Sequence, residues 1–220
     1  MYKLPKRIRA KKHPIVNQRE FWYSGRMLYT GKGDGGTTKT FGCCGERISK
    51  SSAVAEALGA LDEVNSFLGV VKVHQRAGLP ATAYRSMGSD GRWQAGGIAE
   101  TIAEIQQNLF IVQAEVAGAN KHIAEEKVRE MEAIINAIEA ELPPIKSFFV
   151  SGGTELATLL DFARTLARRA ERRVVAVAEE GAQVVGKETL AYLNRLSSLL
   201  YALARQVNYK SGITEEPPRY

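Results

Sequence analysis

Cysteine is nearly absent from this chain: the 220 residues hold two, and they are neighbours, Cys43 and Cys44. Adjacent cysteines rarely meet disulfide geometry, and no CxxC or Cys/His ligand spacing accompanies them. A disulfide framework and a structural zinc site are therefore both disfavoured. Histidine is as scarce. His13, His74 and His122 are scattered without ligand spacing, so nothing marks a metal centre or a Cys–His nucleophile. The G-x-S-x-G elbow of a serine hydrolase is missing too. No run approaches the ~18 consecutive apolar residues of a membrane span, and the N-terminus lacks the apolar core of a secretory signal. The expectation is a soluble, cytoplasmic protein without membrane contact. Alternating strand patterns of useful length and internal repeats are also lacking. The length suits one domain with appendages.

Charge is unevenly spread. Of the chain's net +6, residues 1–27 supply +7, with eight lysines and arginines against the single acid Glu20, and the remainder sums to −1. We expect a basic, partly disordered extension over 1–27 and a nearly neutral folded domain over 28–220. A basic arm can meet nucleic acid or an acidic surface, but a solvated tail is the plainer interpretation.

Glycine clusters in residues 31–45 and again in 78–97, and both segments read as loops. Between and after them lie helical patterns. The first helix is expected over 52–75, capped by Ser51 or Ser52. A second covers 98–122 and a third 125–142, stopped by Pro143-Pro144. Thr154, after Gly152-Gly153, caps a fourth that ends near Gly181. A fifth spans 187–210. The fold class is all-α, a bundle of about five helices.

In the fourth helix Leu156, Leu159, Leu160, Ala163, Ala167, Ala170, Val174 and Val177 form one apolar stripe at 3.6-residue spacing. Arg164, Arg168 and Glu171 border that stripe, with Arg169 and Arg173 placed on the wetter side. In the first helix Leu61, Val64, Leu68 and Val71 pack, flanked by Asp62, Asn65 and Gly69. In the fifth, Asn194 and Tyr201 flank Leu193, Leu196, Leu200 and Leu203. Polar residues at the edge of three stripes suggest a site between helices or subunits. Salt bridges that only fix helix register would account for them equally well.

Four segments carry chemistry. Residues 29–38, followed by Lys39 and Lys50, have the glycines, threonine hydroxyls and lysines of a loop that cradles phosphate. The spacing is not that of a Walker A motif, and no strand precedes it. Phe148-Phe-Val-Ser-Gly-Gly153 is an apolar turn between helices. Residues 163–173 hold five arginines, suited to phosphates, nucleic acid or acidic partners. They divide between two sides with Glu171 among them, which disfavours nucleic acid. Asn194, in the fifth helix, could bridge a ligand or cap a neighbouring helix.

Taken together these segments resemble the propanediol-utilisation-type ATP:cob(I)alamin (corrinoid) adenosyltransferases. Thr30-Gly-Lys-Gly-Asp34 with Gly36-Thr37-Thr38 is similar to their phosphate loop, and residues 56–66, with Asp62 and Asn65, to their first-helix motif. Phe148, Gly152-Gly153, Arg164-Thr165 and Arg168-Arg-Ala-Glu-Arg172 resemble their central signature. Leu193-Asn-Arg-Leu-Ser197, Arg205 and Asn208 resemble their final helix. The likeness runs in order from Tyr29 to about Glu216. Ser151, Asp161 and Ser198 depart from residues common in the family.

The resemblance implies a ferritin-like five-helix bundle assembled as a homotrimer, with ATP and corrinoid bound at subunit interfaces. ATP would contact Thr30, Gly31, Lys32, Gly33, Thr37, Thr38, Lys39 and Lys50, completed by Arg168, Arg169, Glu171, Arg172 and Asn194. Asp62 and Arg164 would pair near the corrinoid, and Phe148 would meet its lower face. The catalytic set would be Asp62, Phe148, Arg164 and Arg168, with Mg2+ accompanying the triphosphate and no protein metal site. The activity implied is transfer of the 5′-deoxyadenosyl group of ATP to Co(I), releasing triphosphate. Partners would include a Co(II) reductase and an adenosylcobalamin-dependent enzyme, with no nucleic acid. The alternative is a catalytically silent, ATP-binding helical-bundle regulatory protein.

Overall fold

A computed structural model of the chain describes residues 29–41, 47–76, 84–87 and 93–220. The basic segment 1–27 and the Cys43-Cys44 pair lie outside the described residues. Among the described residues nine elements follow one another: β1 (Thr37–Thr38), β2 (Ile48–Ser49), α1 (Ala53–Arg76), β3 (Tyr84–Met87), β4 (Trp93–Gly96), α2 (Ile98–Val116), α3 (Glu125–Glu141), α4 (Glu155–Glu179) and α5 (Lys187–Lys210).

The caps explain where the helices begin. The Ser52 Oγ accepts from the Ala55 amide at 3.3 Å, and the Thr154 Oγ1 accepts from Ala157 at 3.1 Å. Each satisfies a backbone donor that the first turn leaves open. Four ends agree closely with expectation, but α2 stops at Val116, well short of residue 122. Gly118, at φ 88°, turns the chain out. The Gly118 amide bonds the Glu115 carbonyl, and the Ala119 amide the Ala114 carbonyl, both at 2.8 Å. This pair of bonds closes the helix in a left-handed glycine cap.

Packing places α4 between α1 and α5, with α2 against α1 and α3 against α5. The α4 stripe is buried as expected apart from half-buried Leu159, and Ala157 joins it. Ala163, Ala167 and Ala170 are fully buried, which lets the neighbouring helices approach α4 closely. Leu61, Val64, Leu68 and Val71 of α1 belong to the same core as Leu193, Leu196, Leu200 and Leu203 of α5. Among the described residues no helix is long and apolar enough to cross a membrane.

Two short antiparallel pairs add to the helices. Thr37 pairs with Ser49 and Thr38 with Ile48, stapling the glycine loop to the approach of α1. The segment expected to be a plain loop contains a hairpin instead, with Tyr84 opposite Gly96 and Met87 opposite Trp93. Strands of four residues are too short for alternation to reveal.

Candidate functional site

The loop at 29–39 is folded on itself by backbone bonds, Asp34 to Gly31 and Gly36 to Gly33, with the Lys32 amide reaching the Thr30 Oγ1 at 3.4 Å. Gly31 and Gly36 have positive φ, 66° and 74°. Lys50 closes the loop from the other side: its amide bonds the Gly36 carbonyl at 2.9 Å. A Cβ on Gly33 would come within 3.0 Å of the Lys50 ammonium. Lys32, Lys39 and Lys50 are exposed. Arg47, which sequence reasoning passed over, holds Thr37 twice, from Nε to its hydroxyl at 2.7 Å and from Nη2 to its carbonyl at 2.6 Å. Its proximity to Lys50 was the available signal.

A hollow of about 630 Å³ opens between α4, α5 and residues 145–149. Phe148 forms one wall with its ring 82% exposed, while Arg164, Arg168, Ser198 and Tyr201 line the rest. Arg164 donates Nε to the Asp161 Oδ1 at 2.7 Å and lies 5.9 Å over the Tyr201 ring. Burial raises the Tyr201 hydroxyl pKa above the usual phenol value, so it stays protonated and uncharged. Arg168 is exposed and has no partner among the described residues. Next to it the Asn194 Nδ2 donates to the Glu171 Oε1 at 2.9 Å, which fixes the α4–α5 margin.

The remaining arginines face α1. Arg169 is ion-paired with Glu63, and Arg173 lies 3.9 Å from Glu56. Both are exposed, as expected of the wetter side of α4, and there they bridge to acids of the antiparallel α1. Arg172 and Arg169 edge a second groove of about 710 Å³ with Phe67, Val70 and Phe162.

One chain thus separates the residues expected to act together. Neither hollow is lined by the glycine loop. Asp62 is exposed on α1 without a partner among the described residues, and within the chain Arg164 is paired with Asp161. An Asp62–Arg164 pair within one chain is therefore not formed. Asn65, expected on the site margin, is buried where α1 meets α2, and its carbonyl accepts from the Gln106 Nε2 at 2.9 Å.

A helical bundle with a cation-rich glycine loop and arginine-lined hollows defines an anion-binding α-protein. Its likeness to known proteins narrows this. The cobalamin adenosyltransferase family model matches residues 28–207, and the chain belongs to that family. It is 38% identical over 193 residues to a corrinoid adenosyltransferase of Bacillus subtilis, covering 84% of this chain and 89% of that one. The corrinoid adenosyltransferase PduO of Salmonella typhimurium is 39% identical over 186 residues, covering 81% of this chain. The match spans about half of that relative, 48% of its length. Among solved structures, a variant PduO-type ATP:corrinoid adenosyltransferase from Lactobacillus reuteri, complexed with cobalamin and ATP, superposes with a TM-score of 0.73 at 28% identity. It covers 88% of this chain and 100% of that one.

Proposed function

We propose that this protein transfers the 5′-deoxyadenosyl group of ATP to the Co(I) of a reduced corrinoid. The observation that carries the reading is the hollow in which exposed Phe148 stands near Arg164 and unpaired Arg168. The cobalt lone pair attacks the 5′-carbon, a Co–C bond forms, and the C5′–O bond breaks. Triphosphate leaves with the bonding electrons. No side-chain nucleophile and no proton transfer are needed, so the protein's work is to align reactants and stabilise charge on the leaving group.

The loop, with Thr30, Gly31, Lys32, Gly33, Thr37, Thr38, Lys39 and Lys50, takes the triphosphate in this reading. Arg168, Arg169, Glu171, Arg172 and Asn194 complete the ATP site from a neighbouring copy. The separation of loop and arginines within one chain supports a composite site in a homotrimer. The same assembly would bring Asp62 of one copy to Arg164 of the next, beside the corrinoid. Mg2+ would ride on the triphosphate oxygens, since residues 29–41 offer a single carboxylate, Asp34. Phe148 fills the space below the corrinoid, keeping an axial ligand off Co(II) so that it can be reduced. The setting proposed is the cytoplasm, with a Co(II) reductase as electron donor and an adenosylcobalamin-dependent enzyme as acceptor.

The test is anaerobic incubation with reduced cobalamin, ATP and Mg2+, followed spectroscopically. Adenosylcobalamin and triphosphate should appear together. ATP binding without product would favour a silent regulatory bundle instead. Sedimentation tests the assembly, and an active monomer would sink it.

A further inference from the structure

Burial does little to hold the segment that carries Phe148. Pro143, Pro144, Ile145, Phe148 and Val150 are all exposed. The hold comes from α5 and the residues after it. Arg205 donates Nη2 to the Pro143 carbonyl at 3.2 Å, and its guanidinium lies 5.2 Å over the Phe149 ring. Its Nε donates to the Glu215 Oε2 at 2.8 Å. Asn208 grips the far end, with Nδ2 donating to the Gly152 carbonyl at 2.9 Å and Oδ1 accepting from the Thr154 amide at 3.0 Å. Gly153 leaves room for this: a Cβ there would fall 2.2 Å from the Asn208 Oδ1. The Glu216 carbonyl accepts from the Val150 amide at 2.9 Å.

These bonds differ in kind from surface pairs. The Arg205 side chain is 7% exposed and that of Glu215 18%, so neither charge is well solvated and each depends on the other. The two adjacent phenylalanines divide: Phe149 is half-buried beneath the guanidinium, and Phe148 is open to the hollow. Fixing the first ring sets the aim of the second. Arg205 itself does not line the hollow.

We infer that Arg205, braced by Glu215, is a positioning residue that aims Phe148 into the hollow, acting on the corrinoid step without touching either substrate. The inference rests on the proposed place of Phe148 beneath the corrinoid. Glu215 and the Val150–Glu216 bond make the C-terminal segment part of the clamp, so this segment and α5 hold one loop between them.

Arg205→Lys and Glu215→Gln test it in the full-length protein. Lysine keeps the charge but cannot reproduce a fork that serves Pro143, Glu215 and the Phe149 ring together. Hydrogen exchange of residues 145–154 without ligand reports the clamp directly, independent of any corrinoid chemistry. Both variants should speed exchange there by roughly tenfold or more, the equivalent of a lost charge-assisted bond. Exchange in α1 and α2 should stay unchanged. Turnover from Co(II) should fall by a similar factor, while ATP affinity and turnover from Co(I) supplied ready-reduced stay within about twofold. Unchanged exchange at 145–154, or faster exchange throughout the bundle, would overturn the positioning role whatever Phe148 does. Faster local exchange with full Co(II) turnover would overturn it too. Phe148→Ala, run alongside, then tells whether the role of Phe148 has fallen as well.

Discussion

Arg164 gives its Nε to Asp161, one turn back along α4 at 2.7 Å, and keeps the rest of its fork unpaired among the described residues. Asp161 aligns the guanidinium over Tyr201 and leaves the terminal nitrogens free to donate to a second carboxylate. Arginine suits such divided use because its five donors sit in one rigid plane.

Asp62 is the partner we expect for that free side, from the adjacent copy. Asp62→Asn should lower corrinoid-dependent turnover while leaving ATP affinity nearly intact. Exchanging the charges at 62 and 164 together should recover part of the loss. A double-mutant cycle checks it, since simple additivity would mean that the two side chains never meet.

Arg168 makes a separate claim, because it is unpaired and faces the hollow. Arg168→Ala removes a charge-assisted hydrogen bond worth about 1.5–3 kcal/mol, or roughly ten- to a hundredfold in ATP use. Arg168→Lys should restore only part, since an ammonium cannot present the guanidinium fork. Steady-state kinetics with varied ATP measures both. Activity near wild type in both variants would remove Arg168 from the phosphate site.

The sequence announced α4 and α5 plainly, because each carries a single apolar stripe that admits one helical phase, with a polar cap at Thr154 to start α4. Other features depended on partners that a single helix cannot name. Arg169 and Arg173 are as wet as a wheel of α4 alone shows, but the wheel cannot name Glu63 and Glu56 of α1 as their partners. Asn65 sits in the first-helix motif but is buried where α1 meets α2. The end of α2 was hidden because Gly118 stands alone among helix-compatible residues, and only its positive φ reveals the break. The site residues were legible as types. Their division over a loop and two hollows was not, since that division follows from packing.

Glu115 tests the scaffold apart from the chemistry. Its carboxylate is buried and accepts from the Gly186 amide at 2.7 Å and the Thr189 hydroxyl at 2.5 Å, with His122 Nδ1 at 3.1 Å. These bonds tie the end of α2 to the start of α5. Glu115→Gln turns an amide nitrogen toward donors and should cost about 1.5–3 kcal/mol. The urea midpoint should drop with little change in slope. ATP affinity, measured well below the transition, should hold. An unaltered midpoint would show that the turn at 186 needs no such anchor.

Phe148 separates chemistry from stability more cleanly than a buried phenylalanine could. Truncating a core phenylalanine costs about 3–5 kcal/mol and lowers every activity at once. Here the ring is 82% exposed, so Phe148→Ala should leave the unfolding midpoint almost unchanged. It should instead open the space below the corrinoid to water or the natural lower ligand. Co(II) would stay five-coordinate and harder to reduce, and turnover from Co(II) should collapse while ATP affinity persists. Phe149→Ala should behave differently, because that ring packs under Arg205. It should lose stability and loosen the loop, lowering turnover through position instead of through open space. Electron paramagnetic resonance of Co(II) with ATP bound distinguishes the two. A four-coordinate signal that survives Phe148→Ala at full strength would mean that another side chain holds the lower face of the corrinoid.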